Sequence, residues 1–205
     1  MKQETGSNIS VSGNKVSIQL PLGGHSFSSE WITERHTDRR IESVECMLLT
    51  PRTVLMPREC FDAAAAEEPL RIAGLPCKSN ETVVTSDTSA QIVAVMAIDK
   101  ECLGTLRECF GERLSFTSPL CGGQNYSEPT VWLYRTGDLI YIKVYKPVLR
   151  IAEVMMISSE ADVLQILQDL GPVFDIRECT IICCGDGCDR MHRRLAKYYP
   201  IVRCE

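Results

Sequence analysis

The residues best suited to chemistry sit in three glycine-bearing turns. Gly23-Gly24, followed by His25 and Ser26, could cradle a phosphate through backbone N–H groups, although a glycine pair serves hairpin geometry equally well. Gly137-Asp138 forms the tip between two apolar runs. Gly185-Asp186-Gly187 closes another apolar run just before a helical pattern, the place where open α/β sheets receive ligands. Asp186 would repel a phosphate but could accept a hydrogen bond from a ribose hydroxyl. A tight turn with a helix-capping acid accounts for the same residues and is the preferred reading. Gly23, Gly24, Gly137, Asp138, Gly185, Asp186 and Gly187 are therefore the candidate nucleotide-binding set. No catalytic residue is assigned. His25, His36 and His192 are scattered, and no Ser-His-Asp or Cys-His order follows from their spacing. Glu30, Glu34 and Asp38 read as a solvent-facing acidic run.

Eleven cysteines are present among 205 residues. Most lie inside apolar periodic runs, as Cys46, Cys102, Cys109 and Cys183 do, and free cysteine behaves as a small buried hydrophobe. Met1 to Asn8 has no apolar signal core. Both features predict reduced thiols in the cytoplasm. Cys179, Cys183, Cys184, Cys188 and His192 raise the question of zinc, and Cys188 and His192 would share a helix face. Cys183 and Cys184, adjacent in a strand, point to opposite faces, and no C-x-x-C pair exists. The expectation is no metal and no cofactor; a redox role for thiols near Gly187 is the lesser alternative. Arg190, Arg193, Arg194 and Lys197 give the last helix a basic face. It could meet an acidic partner or a phosphate, but reads more simply as a solvated face near a helix C-terminus.

The bulk properties narrow the class. Hydrophobic residues make up 44% and charged residues 24% of the chain, as in ordinary globular proteins. A formal net charge of −5 argues against nucleic-acid binding, which needs a basic surface. No run approaches the ~20 apolar residues of a membrane span.

The elements that must position the turns follow from periodicity. Val16–Leu20 alternates as a half-buried strand, with a returning strand expected over Gly24–Ile32 after the Pro21–Gly24 turn. A polar link covers Glu34–Arg40. Strands are expected at Ile41–Leu49 and Thr53–Met56, a helix over Glu59–Ala66, and a short helical piece over Pro69–Ile72. Thr82–Thr85 and Gln91–Ile98 pair as strands. Asp99 caps a helix from Lys100 to Phe110 that Gly111 ends, and Arg113–Thr117 is a strand. Ser118–Pro129, rich in Pro and Gly, is the candidate boundary between lobes. Val131–Arg135, Leu139–Tyr145 and Val148–Ile157 are three strands, followed by a helix from Ser158 or Ser159 to Leu170 with Gly171-Pro172 as its stop. Cys179–Cys184 suits a central strand covered on both faces. Asp189–Tyr199 is the last helix, and Ile201–Cys204 a last short strand. Three antiparallel strands and then a helix open a ribonuclease-H-like α/β unit. The order of elements partly repeats between the halves, without a sequence repeat.

Several segments carry a resemblance: Val16–Phe27, Leu49–Pro57, Glu81–Val84 with Ile92–Val95, and the hairpin Val131–Tyr145. Together they resemble a bacterial domain-of-unknown-function family with an actin-like ATPase fold, over most of the chain. The resemblance implies an α/β, duplicated ribonuclease-H-like fold, with two mixed β-sheets flanked by helices, an N-terminal subdomain over 1–125 and a C-terminal one over 126–205. It implies no established activity. The wider superfamily would carry Asp-x-Gly in both first hairpins. Here Leu20 and Pro21 stand where the first acid is expected, and at Leu133-Tyr-Arg-Thr-Gly-Asp138 the acid follows its glycine. Gly185–Gly187 matches the adenosine turn in position. The leading expectation is thus a non-catalytic binding or assembly module with a protein partner. The alternative is an ATPase or phosphotransferase using Asp138 and Asp186.

Overall fold

The structure is a computed structural model and describes residues 9–12, 14–21 and 41–205. The candidate turn at Gly23-Gly24 and the strand expected over Gly24–Ile32 lie outside the described residues. The chain divides into two compact units, residues 1–121 and 122–205.

In the first unit, β1 (Ile9–Ser12) and β2 (Lys15–Pro21) form an antiparallel hairpin. β3 (Ser43–Leu49) runs parallel to β2, and β7 (Leu114–Thr117) parallel to β3, giving the order β1-β2-β3-β7. The alternation seen in sequence is realised: Val16, Ile18 and Leu20 on β2 and Val44, Cys46 and Leu48 on β3 all enter one core. A second sheet is wholly antiparallel, with β6 (Ile92–Asp99) between β4 (Thr53–Pro57) and β5 (Glu81–Thr85). Two separate apolar clusters cover the two faces of β6, which is why its sequence is apolar without alternation. Ala94, Met96 and Ile98 point into the main core, while Val95 and Ala97 meet Leu70 from the short helix α1 (Glu68–Ile72).

Helix α2 (Lys100–Phe110) completes that core with Cys102, Leu103, Leu106 and Phe110. The Asp99 side chain accepts from the N–H groups of Glu101 and Cys102, and Gly111 ends the helix at φ 54°. The helix expected over Glu59–Ala66 does not form. Two 3-10 turns, Arg58–Cys60 and Ala63–Ala65, replace it. Between them Phe61 is extended and packs against the Leu70 cluster, and Asp62 accepts from Ala64 N–H. Burial of one aromatic ring plus a local cap outweighs the small helix propensity of an alanine block.

The second unit holds one five-stranded sheet in the order β10-β9-β8-β11-β12. β8 (Thr130–Thr136), β9 (Leu139–Tyr145) and β10 (Leu149–Met156) are antiparallel neighbours. β11 (Thr180–Gly185) and β12 (Val202–Cys204) add parallel to β8. On one face Val131, Leu133, Ile140, Ile142 and Val144 pack with Val163 and Leu167 of α3 (Glu160–Phe174) and with Met191 and Leu195 of α4 (Cys188–Leu195). The other face is aromatic. Trp132 stacks on Tyr134 at 5.8 Å between ring centroids, and Lys143, 2% exposed, places its ammonium 4.3 Å from the Trp132 ring centre. The same ammonium donates to the Gly122 carbonyl. A buried cation needs such partners, and ring face and carbonyl oxygen supply them.

Helix α3 does not stop at Gly171-Pro172 but runs through it to Phe174. Pro172 lies in the last turn and takes one backbone N–H out of the helix. The helix ends instead at Asp175, left-handed at φ 44°, whose N–H donates to the Gly171 carbonyl at 2.9 Å.

Two substitutions in one helix should move stability in opposite directions. A Cβ at Gly104 meets nothing within 4 Å, so Gly104→Ala is expected to stabilise by about 0.5–1 kcal/mol. Asp99→Ala removes the cap and should cost about 1 kcal/mol. Urea unfolding of both variants against the parent chain checks the pair.

Candidate functional site

Parallel pairing of β8 with β11 sets Gly185 opposite Arg135. The two strands therefore end side by side, and their turns meet. Gly185 has φ 80°, and a Cβ there would stand 2.1 Å from the Arg135 carbonyl oxygen. Only glycine fits so close to another backbone. Just beyond, Asp186 N–H donates to the Arg135 carbonyl at 2.8 Å. The Asp186 carboxylate, Oδ2, accepts from the backbone N–H of Gly137 at 2.9 Å. Gly187, at φ 67°, then begins α4, and its carbonyl accepts from Arg190 and Met191 N–H.

The structure thus brings Gly137, Gly185, Asp186 and Gly187 together. Asp138 belongs to the same hairpin, and its carbonyl accepts from Ile157 N–H at 2.7 Å. One detail of the sequence reading is corrected. Asp186 does make a tight turn, but it does not cap α4, whose N-cap is Gly187 without a side-chain bond. The carboxylate reaches across to the neighbouring hairpin because the strand register delivers Gly137 N–H to it.

Two residues of this cluster, Glu160 and Arg135, were missed by sequence reasoning, and Arg190 was expected only as part of a basic face. Glu160, the first residue of α3, accepts from Arg135 Nη1 at 2.9 Å and pairs with Arg190 Nε at 3.2 Å. Arg135 Nε also reaches the Gly137 carbonyl at 3.4 Å. The available signal was local: Arg135 directly precedes the turn, and Glu160 follows the Ser159 cap, where an acid is favoured. Ser159 and Asp162 form a capping box, with Asp162 accepting from the N–H groups of Ser158 and Ser159. The backbone N–H at the helix start, and then Arg135, hold the Glu160 carboxyl below its ordinary range. Arg190 pairs with Glu160 while its side chain stays exposed, as a solvated basic face requires.

The cysteines divide. Burial pushes the thiols of Cys102 and Cys183 up to about 12 and that of Cys46 further, so these stay protonated and pack as hydrophobes. Cys188 and Cys204, against the expectation of uniformly reduced thiols, are joined in a disulfide with Cα atoms 6.2 Å apart. The parallel register Cys183↔Cys204 carries Cys204 to the first residue of α4. A separation of 16 residues hid that neighbourhood in the sequence. Cys179, Cys183 and Cys184 do not assemble with His192. Among the described residues, the group with ligand atoms mutually within 4.8 Å is Cys188, Asp189 and Cys204. A pocket of about 410 Å³, lined by Leu167, Gly171, Asp175, Arg177, Tyr198 and Tyr199, opens at the far end of α3 from Glu160. It includes none of the predicted residues.

No protein-family model matches the sequence, and no curated protein matches it. Solved structures do. One is a protein of unknown function with an actin-like ATPase fold from Bacteroides thetaiotaomicron, 17% identical, with 80% of this chain covering 68% of that one at a TM-score of 0.64. Another is a PilM-PilN type IV pilus biogenesis complex, 13% identical, with 96% of this chain covering 84% of that one at a TM-score of 0.56. The chain has the actin-like ATPase fold. Among the described residues, no helix is long and apolar enough to cross a membrane.

The cluster makes its own predictions. Gly185→Ala should destabilise by more than about 2 kcal/mol, since backbone opposes the new Cβ. Asp186→Ala should cost about 1 kcal/mol through the lost bond to Gly137. Glu160, with its folded value lowered, contributes stability above the unfolded carboxyl range near pH ~4.3, and loses it as pH falls through the folded value. Glu160→Gln should therefore flatten the acid limb of a stability profile measured from pH ~6 down to pH ~3.

Proposed function

We propose that this protein is a non-catalytic binding or assembly module, an actin-like domain without the acids that would hold a magnesium-bound nucleotide. The supporting observation is the Asp186 carboxylate on Gly137 N–H at 2.9 Å. The hairpin donor that could receive a phosphate oxygen is already taken by a carboxylate of the same chain. A phosphate brought there would sit beside that charge. Two unit charges 4 Å apart repel by about 4 kcal/mol at an effective dielectric of 20, more than the ~1 kcal/mol a typical hydrogen bond returns. The neighbouring cations Arg135 and Arg190 share the Glu160 carboxylate, and with Asp186 counted the formal charges of the cluster balance. In the first unit Leu20 and Pro21 close β2 without an acid.

In this reading the two expected subdomains, 1–125 and 126–205, are both ribonuclease-H-like, the second carrying the complete strand order and the first a modified one. The partner is a protein. One similar structure is itself a complex, PilM-PilN of type IV pilus biogenesis, and that supports a role in holding an assembly together. The net charge of −5 speaks against nucleic acid. We place the protein in the bacterial cytoplasm, with the nine free cysteines among the described residues as support.

Isothermal titration with ATP and magnesium tests the reading. The expected outcome is no heat of binding up to millimolar nucleotide. Tight magnesium-dependent binding would overturn it and favour a nucleotide-using enzyme acting through Asp138 and Asp186, with turnover lost in Asp138→Ala and Asp186→Ala.

A further inference from the structure

The carboxyl end of β12 places two sulfurs and a carboxylate together at the start of α4. Cys204 lies at the end of β12, in register with Cys183 of β11. Cys188 and Asp189 are the first two residues of α4. Their ligand atoms lie within 4.8 Å of one another, and Cys204 Sγ is 3.9 Å from Asp189 Oδ1. A tetrahedral zinc, with bonds of about 2.3 Å to sulfur and 2.0–2.2 Å to carboxylate oxygen, separates its ligand atoms by about 3.5–3.8 Å. The Cys204–Asp189 distance is close to that separation. Cys204 and Asp189 are exposed and Cys188 is half-buried, so an ion has a path of entry.

We propose that Cys188, Cys204 and Asp189 form a binding site for a thiophilic divalent cation such as Zn²⁺ when the Cys188–Cys204 bond is reduced. The chemistry balances with a dithiol as reductant. It gives two electrons and two protons to the disulfide and becomes a disulfide itself, leaving thiols on Cys188 and Cys204. Each thiol then releases its proton as the metal takes the thiolate. Two thiolates and one carboxylate neutralise the cation and leave its net charge at −1, and the N-terminal end of α4 favours that negative charge. Soft sulfur selects zinc, cadmium or cobalt over magnesium and calcium. Three protein ligands leave the fourth position to water. Oxidation and metal occupancy exclude each other, because one sulfur pair serves both. The site is independent of the nucleotide question, since none of its ligands belongs to the Gly137–Asp186 contact.

Cobalt(II) titration of the dithiol-reduced, desalted full chain under anaerobic conditions is the test. The reduced protein is expected to bind one equivalent and to develop thiolate-to-cobalt charge-transfer absorption, which zinc abolishes by displacement. Cys204→Ser and Cys188→Ser should each lose that binding while keeping the parent far-ultraviolet circular dichroism. Asp189→Asn should keep the absorption but weaken the affinity. A double Cys60→Ser, Cys121→Ser variant, which removes two other exposed thiols, should bind as the parent does. No charge-transfer band in the reduced parent, or a band that survives both single serine variants, would overturn the proposal.

Discussion

The second unit depends on one close backbone approach. Gly185 presses against the Arg135 carbonyl so tightly that a Cβ would stand 2.1 Å from the oxygen. That contact holds the ends of β8 and β11 level. Asp186 N–H can then reach the same carbonyl, and the Asp186 side chain can reach Gly137 N–H. A shift of one residue in that register would undo all three and would exchange the side chains on the two faces of β11. The local chemistry therefore follows from a packing constraint. The hairpin is held by an internal carboxylate because glycine lets the two strands end together.

The same sheet separates two kinds of interior. Its helix-covered face is built of Val, Ile and Leu with α3 and α4. Its aromatic face holds Lys143 against Trp132. A lysine only 2% exposed would be costly in an aliphatic core. Against a ring face and the Gly122 carbonyl it has partners, and it ties the segment at Gly122 and Gly123 to β9. The site end of the sheet handles charge differently. Glu160 pairs with both Arg135 and Arg190, and the Asp186 carboxylate supplies the second negative charge, so the formal charges of the cluster balance.

Much of the fold was legible in the sequence because burial follows periodicity. Val16–Leu20 alternates and Ile92–Ile98 does not, and each took the environment its pattern requires. Asp99 and Gly111 mark the ends of α2 as their types suggest. What stayed hidden involves competition or distance. Phe61 broke an expected helix because a distant cluster offered it burial. Pro172, expected as part of a stop, lies inside the last turn of α3. The two glycine turns were identified singly, but their union rests on a parallel register between Arg135 and Gly185, which no local pattern encodes. Cys204 joined its cluster for the same reason, through the parallel register with Cys183.

Occupation of Gly137 N–H by the Asp186 carboxylate is what closes this hairpin to a phosphate. Amide NMR of the isotope-labelled chain reads that directly. The account predicts that the Gly137 amide exchanges slowly with solvent, holds its shift when millimolar magnesium-ATP is added, and loses protection in Asp186→Ala. A rapidly exchanging Gly137 amide, or one that moves with nucleotide in the parent protein, would contradict it.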